Sequence, residues 1–403
     1  MWICFNRKVL IMRIAISGAS GYIGQHLSSF LEGKGYDVIP LGRDLFKEDC
    51  FDELCRCVES CEVVINLAGA SINKRWTEAY KQELYDSRIC VTRQLVHAIN
   101  TRSVKLELFI SASAVGYYPA FGEYDEYHDC RGMDFLARLC GAWEEEASAC
   151  SSDVSLVITR FGVVLSEDGG ALKEMLRLQR FSRVSVVIGN GQQRFPWISL
   201  FDLCRSFGYI IRNRQMRGVV NLVSPDLITQ KQLAHTLARA DKIRRIIPLP
   251  EFFFRLKFGE GASFVTKGQT VHPSKLQESG FIYIYPTIEK LMNITDHHTV
   301  PELDVKRYMG RWYEIARYEN HFERGMTDVT ATYTLLPDGK IRVENEGYKG
   351  GVHKKATGRA KQPDPKNNPG KLKVAFFLQS IERDWRSVAR EVTTNTEGVV
   401  ERS

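Results

Sequence analysis

Apolar and polar positions follow three successive regimes along this 403-residue chain. From residue 12 to 222, short apolar runs recur at 12–17, 37–41, 62–67, 106–111, 155–161 and 219–222. Their length and lack of alternation suit strands buried on both faces, and the stretches between them carry a helical period. From Tyr22, for example, Ile23, Leu27 and Leu31 fall on one helical face. Strands alternating with helices predict an α/β unit built on a doubly wound parallel sheet. Ser224-Pro225 breaks that rhythm. Residues 229–240 then read as an amphipathic helix, Pro248 and Pro250 precede a further apolar helical piece, and 270–291 closes a small second unit, 223–294. Asp296-His-His-Thr299 is a short polar linker whose paired histidines have no third ligand nearby, so a solvated segment is expected there rather than a metal site. Beyond Val300 the period becomes two. Strands are expected near 312–318, 329–335, 341–347, 353–359 and 372–377, with Pro337-Asp338-Gly339 as a hairpin turn, giving an antiparallel β module over 300–403.

The first strand runs into Gly18-x-x-Gly21-x-x-Gly24, and the helix from Tyr22 follows at once. Glycines allow a tight turn and a close approach of backbone to a pyrophosphate, while the helix N-terminus adds free amides and a favourable dipole. A strand before and a helix after are the context this motif requires, and they make the first unit a Rossmann-type dinucleotide-binding fold. Gly18, Ser20, Gly21, Tyr22, Ile23 and Gly24 are the expected cofactor contacts of this turn. The second strand ends at Leu41-Gly42-Arg43. An acidic residue there would take the ribose hydroxyls of NAD, whereas Gly42 followed by Arg43 suits the 2′-phosphate of NADP. NADP is therefore the expected coenzyme and NAD the alternative. Asp44 stands one residue too late for the NAD role and is expected to cap the next turn.

Composition narrows the class. The net charge of +7 is spread along the chain without a basic stripe interleaved with aromatics, which argues against a nucleic-acid partner. No apolar run approaches a membrane span; Phe252-Phe-Phe254 is stopped at once by Arg255 and Lys257. All ten cysteines precede Phe207 and show no framework of paired spacings. Cys55, Cys57 and Cys61 have no second Cys/His pair at zinc-site distance, so helix thiols and no metal are expected. Reduced thiols suit the cytoplasm, and residues 1–11 lack the apolar core and cleavage site of a signal peptide. Met12 is an alternative start, because the first strand begins there.

Four pieces of the first unit, Gly18-x-x-Gly21-x-x-Gly24, Asn66-Leu-Ala-Gly69, Ser111-Ala-Ser113 and Arg160-Phe-Gly162, resemble the extended short-chain dehydrogenase/reductase superfamily. Arg75-Trp76, Asp86-Ser-Arg88, Gly189-Asn-Gly191 and Phe195-Pro-Trp197-Ile-Ser-Leu-Phe-Asp202 narrow the resemblance to its sugar-nucleotide epimerase-like subgroup, over about residues 12–291. The resemblance implies that Asn66, Ala68 and Gly69 lie along the cofactor and that Ser113 stands where the superfamily places its catalytic serine. That serine hydrogen-bonds the substrate oxygen while a Tyr-x-x-x-Lys pair on the next helix handles the proton, the lysine lowering the tyrosine pKa. With Glu144 in the position that follows the pair, Leu136 fills the tyrosine slot and Cys140 the lysine slot. Neither residue can do that work. Tyr117 and Tyr118, just after Ser113, are the nearest catalytic substitutes, an aromatic wall being their other role. Arg160, Gln193, Arg194 and Trp197 are candidate substrate-pocket residues. Arg194 suits a phosphate or carboxylate, or is a plain surface arginine. Asp202 is expected to cap the following helix. Arg75, Trp76 and Arg88 are expected on the helix after Gly69, where packing and ligand contact are both open.

In the β module, Arg307-Tyr-Met-Gly310-Arg-Trp312 followed by Phe322-Glu-Arg-Gly325 resembles the bacterial lipocalins, eight-stranded antiparallel barrels that hold an apolar ligand. The resemblance implies that Trp312 closes the barrel floor and that the module takes a lipid-like ligand. It runs to about Phe377, and the polar tail from Leu378 leaves the pattern, as a frameshift or premature end of the reading frame would produce. A partial, unclosed barrel with a poorly ordered tail is expected. Two functions follow. One is an NADP-dependent epimerase or reductase acting on a small molecule, carbohydrate or nucleotide-linked. The other is a non-catalytic NADP-binding sensor or small-ligand carrier.

Limited proteolysis tests this organisation. Cleavage should begin near residues 296–299 or beyond Gln379 and leave a stable N-terminal fragment, because open sheet edges and polar linkers admit a protease first. A protease-resistant C-terminal fragment that binds a fluorescent fatty acid one to one would contradict the expectation of an incomplete barrel.

Overall fold

The computed structural model describes residues 11–104, 106–292, 304–313, 326–361, 371–376, 389–394 and 400–402. The described residues up to 292 form one unit and those from 304 another. In the first, six strands form a fully parallel sheet: β1 Arg13–Ser17, β2 Asp37–Leu41, β3 Val63–Asn66, β4 Leu108–Ala114, β5 Ser155–Phe161 and β6 Gly218–Leu222. Their order is β6-β5-β4-β3-β1-β2. Helices α1 Tyr22–Glu32, α2 Phe51–Glu59, α3 Glu78–Thr101 and α4 Phe135–Ser148 connect the first strands, with α5 Gly170–Ser182 and α6 Leu200–Arg212 between β5 and β6.

The unalternating apolar strands are explained by two covered faces. Ile14, Ile16, Val63, Ile65, Ile110 and Val157 pack under Leu27 and Leu31 of α1 and Leu203, Phe207 and Ile210 of α6. The intervening Ala15, Val64 and Phe109 face the other way, under Leu54 and Val58 of α2 and Leu95 and Ile99 of α3. Winding changes direction between β1 and β3, and the loops that leave those two strands lie side by side: the Leu67 amide donates to the Ser17 carbonyl at 3.1 Å. In an open α/β sheet that switch point is where a ligand crevice forms.

The expected boundary at 222/223 does not separate packed units. Leu165, Leu172, Leu176 and Trp197 share a core with Ile228, Leu233, Leu237 and Ile288 from beyond it. Strands Val184–Ile188 and Arg245–Leu249 also pair across it in parallel. Pro248 lies inside that two-stranded edge sheet, where its missing N–H costs little. Asp202 does not cap its helix. Ser199 does, accepting from the Asp202 amide, and the buried Asp202 carboxylate instead accepts the Ile284 and Tyr285 amides at 2.9 and 2.7 Å. It thereby ties the C-terminal segment of the unit to α6.

The second unit is a seven-stranded antiparallel meander of Gly310–Tyr313, Met326–Leu335, Ile341–Lys349, Val352–Lys361, Lys371–Phe376, Ala389–Thr394 and Val400–Arg402. Each strand pairs with its successor, and among the described residues the first does not pair with the last. Tyr308, Tyr333, Ile341, Val343 and Ala360 form its small core, with Trp312 packed against it and donating from its indole to the Tyr308 carbonyl at 3.0 Å. The expectation that the pattern ends at Phe377 is corrected: two further strands add to the sheet, with Val374 opposite Arg390 and Val392 opposite Arg402. The β-branched run Val392-Thr-Thr394 carries that signal, and the eleven polar-rich positions before Ala389 hid it. The linker 296–299, the 322–325 segment and the tail at 377–388 lie outside the described residues.

Candidate active site

The crevice at the switch point is built by glycines. Gly18 has φ +72°, and a Cβ on it would stand 2.8 Å from the Leu67 carbonyl. A Cβ on Gly24 would fall within contact distance of the Gly18 carbonyl oxygen, so only glycine lets α1 start this close to the turn. The N-cap, Gly21, makes no side-chain cap, and no acidic residue occupies the first turn. The amides of α1 are thus open to an anion. Ser20 and Gly21 are exposed on the turn, Ile23 packs into the core, and the Tyr22 ring lies against Gly169, where a Cβ would collide with it. On the facing loop, buried Asn66 accepts from Ser17 Oγ at 2.6 Å and from the Ala68 amide at 3.2 Å, and donates to Thr92 Oγ1 at 2.7 Å. Those bonds set the turn through Ala68 and Gly69. At the end of β2, Arg43 is exposed and has no ion pair among the described residues. Asp44 caps nothing; it pairs with Lys47, and extended Gly42 precedes the turn. Open amides, two Cβ-free approaches and a free cation fit a phosphorylated dinucleotide.

Beside the crevice, three side chains lock together, from the ends of β4 and β5 and from within α4. Ser113 Oγ donates to Glu144 Oε1 at 2.6 Å, and Arg160 grips the same carboxylate with Nε at 2.9 Å and Nη2 at 2.7 Å. All three are under a tenth exposed. Burial alone pulls the Arg160 guanidinium down, but the Glu144 hydrogen bonds and charge outweigh it and raise its pKa. The guanidinium lies 3.5 Å from the Tyr117 ring centroid and 4.7 Å from that of Tyr118. Tyr117 is half-buried, its hydroxyl reaching only a long 3.3 Å contact to Asp129. Desolvation raises its pKa against the opposing pull of Arg160, so the phenol stays protonated at neutral pH.

The expected pocket residues separate into two groups. Tyr118 is 2% exposed, stacks on Tyr124 and spends its hydroxyl on the Asp125 carbonyl at 2.8 Å and Asn221 Oδ1 at 3.1 Å. Its hydroxyl is engaged by the protein itself. Arg160 is paired with Glu144, and Trp197 is fully buried in the core. Gln193 donates to the Ile188 carbonyl at 3.2 Å. Arg194 is exposed, donates to the Leu227 carbonyl at 3.0 Å and borders a shallow cleft with Ser224, Asp226, Gln269 and Thr270. Gln269 reaches from that cleft to the Val115 carbonyl, two residues before Tyr117. Arg75 and Trp76 lie in the loop before α3, not on it, and Trp76 is buried against Gly261. Arg88 is on α3, behind Gly69.

Leu136 packs against Gly116, and Cys140 is buried, its thiol pushed up to about 12 by desolvation and then by Glu144. The centre of the arrangement, Glu144, was visible in the sequence only as a spacing marker. A carboxylate three residues from the end of an apolar helical stripe, with an arginine at a strand end, was the available signal.

Comparison with known proteins places these features. The model of the NAD dependent epimerase/dehydratase family matches residues 14–222, a domain of unknown function matches 249–293, and a lipocalin-like domain matches 303–396. The last match runs beyond Phe377, in keeping with the two added strands. An epimerase family protein, SDR39U1 homolog, chloroplastic, of Arabidopsis thaliana is 33% identical over 308 residues, spanning 72% of this chain and 88% of the relative. The epimerase family protein YfhF of Bacillus subtilis is 33% identical over 72% of this chain and its own full length. The crystal structure of human epimerase family protein SDR39U1 with NADPH superposes with a TM-score of 0.65 at 32% identity, covering 70% of this chain and 98% of that one.

The buried ion pair makes a direct prediction. Glu144→Gln keeps an acceptor for Ser113 but leaves the Arg160 charge buried without a counter-charge, which costs about 3–5 kcal/mol. Urea unfolding of the N-terminal unit should show that loss; a change below about 1 kcal/mol, the range of exposed pairs, would mean the pair is not desolvated.

Proposed function

The chain belongs to the NAD dependent epimerase/dehydratase family, and on that footing we propose that its N-terminal unit binds NADP(H) and reduces a carbonyl group on a small carbohydrate or nucleotide-linked substrate. The observation that carries this reading is Tyr117, held by the Arg160–Glu144 pair at the open side of the Ser113 network, with a phenol that keeps its proton. When bound, the coenzyme supplies a hydride. The open amides of α1 and the Gly18 and Gly24 approaches would hold its pyrophosphate, and Arg43 its 2′-phosphate. The NADPH in the human relative supports that choice of coenzyme.

A protonated phenol is an acid, so it donates to the carbonyl oxygen as the neighbouring carbon is reduced; abstracting a proton from an alcohol would need the phenolate. Ser113 cannot donate to a substrate while its proton lies on Glu144, but its oxygen keeps a lone pair and fixes the wall of the pocket. The cleft beside Arg194 and Asp226 supports a polar substrate entering from the side of Val115–Tyr117. The nine described cysteines are all free, which supports a reducing compartment, the cytoplasm. The second unit's match to lipocalin-like domains supports an apolar partner for its sheet, whose first and last strands do not pair among the described residues. Among the described residues no helix is long and apolar enough to cross a membrane.

A non-catalytic NADP sensor is the second reading, favoured by the buried, neutral Cys140 in the lysine slot. Following NADPH absorbance with carbonyl-bearing sugars and nucleotide sugars separates the two. Turnover that Tyr117→Phe lowers by about 10²-fold or more, while Tyr118→Phe leaves kcat within a few-fold, is the expected result. Full activity in Tyr117→Phe would remove Tyr117 as the acid, and tight NADPH binding with no turnover would select the sensor.

A further inference from the structure

Arg88 is a largely buried cation against the loop that bounds the crevice, and among the described residues no carboxylate pairs with it. It rises from α3 behind the loop that follows β3 and donates to two carbonyls, Leu84 through Nη1 at 3.1 Å and Ala70 through Nη2 at 3.0 Å. Its guanidinium lies 5.2 Å from the Trp143 ring, and a Cβ on Gly69 would stand 2.9 Å from its Cζ. No carboxylate pairs with it among the described residues, in contrast to Arg160 sixteen positions after Glu144. Burial lowers the Arg88 pKa, which is the sign of a charge short of compensation, and the charge acts on the Cys140 thiol. Carbonyl dipoles and an aromatic face offset part of the desolvation cost, but a guanidinium keeps further N–H donors, and its full charge is left without a counter-charge among the described residues.

Cys140 stands one helical turn before Glu144 and one turn after Leu136, at the position where the resembling superfamily carries its lysine. Arg88 reaches that position from a different helix. We propose that Arg88 supplies the cation missing from α4, holding the dinucleotide at the end of the crevice nearest Ser113, with Gly69 as glycine because any side chain there would displace the guanidinium. It is a positioning residue for the coenzyme and takes no proton itself, since a guanidinium does not deprotonate in this pH range.

The inference rests on the proposed binding of NADP(H), and the test keeps the two apart. NADPH affinity of the full chain is measured by fluorescence titration for wild type, Arg88→Gln, Arg88→Lys and the double variant Arg88→Gln/Cys140→Lys, with the thermal midpoint of each ligand-free protein recorded alongside. Wild type that fails to bind NADPH refutes the proposed function, whatever the variants do. Given wild-type binding, Arg88→Gln should weaken NADPH and NADH alike by about 10-fold or more, the loss of a charge-assisted bond, because Arg88 does not read the 2′-phosphate. Cys140→Lys should restore most of that affinity, since it returns the charge without returning the bond to Ala70. Unchanged affinity in a folded Arg88→Gln overturns the inference, and so does a loss that Cys140→Lys leaves unrepaired, which marks Arg88 as a clamp on the loop. If Arg88→Gln does not fold, Arg88→Lys decides: affinity within about 3-fold of wild type supports the role of the charge, and a loss of about 10-fold or more overturns it.

Discussion

The close approach of two loops organises the N-terminal unit. Gly18, turning at positive φ, lies against the Leu67 carbonyl, and the Ser17 carbonyl receives the Leu67 amide. That contact exists because the sheet winds outward in both directions from β1 and β3. It brings the uncapped start of α1 opposite the Asn66–Gly69 turn, and the resulting crevice lies beside the Ser113 network. A side chain at Gly18 or Gly24 would push the loops apart, and the open amides of α1 would lose the shape that makes them a phosphate site.

Beyond the crevice, Ser113 sits in a buried polar network, while Leu136 and Cys140 occupy the slots of the usual tyrosine and lysine. The buried Glu144 carboxylate holds Ser113 and Arg160 together, and Arg160 in turn presents its face to Tyr117. Such a pair contributes little net stability, because desolvating two charges offsets their attraction, yet removing either partner is costly. It fixes one arrangement of two strand ends and the helix beside them. The lysine slot on α4 holds Cys140, whose thiol is kept neutral by burial, and the tyrosine nearest Ser113 along the chain stands in the turn after β4. A buried polar network that is satisfied at each member rigidifies its surroundings and specifies one arrangement.

Much of the fold was legible in the residues because local and global signals agree. The six sheet strands read as apolar runs since both faces are covered, and the glycine spacing fell between a strand and a helix. Short edge pairs such as Val184–Ile188 with Arg245–Leu249 were not legible: they are brief, one carries a proline, and their pairing spans a long stretch of sequence. The same holds for the last two strands of the β meander, which follow a run with no alternation. In the site, the candidates near Ser113 were found, but their partners were not. Periodicity marks Trp197 as apolar without saying that it is core, and no spacing rule places Glu144 between Ser113 and Arg160, which come from separate strands. Buried charge pairs are tertiary facts.

The central claim is that the crevice between the β1 and β3 loops is a dinucleotide site that prefers the 2′-phosphorylated coenzyme. Titration calorimetry of the full chain with NADPH and NADH, repeated with Arg43→Ala, tests it most directly. The account predicts tighter binding of NADPH, with Arg43→Ala weakening NADPH alone by about 1–3 kcal/mol. Equal affinity for the two coenzymes in the wild-type protein, or no heat of binding with either, would contradict it.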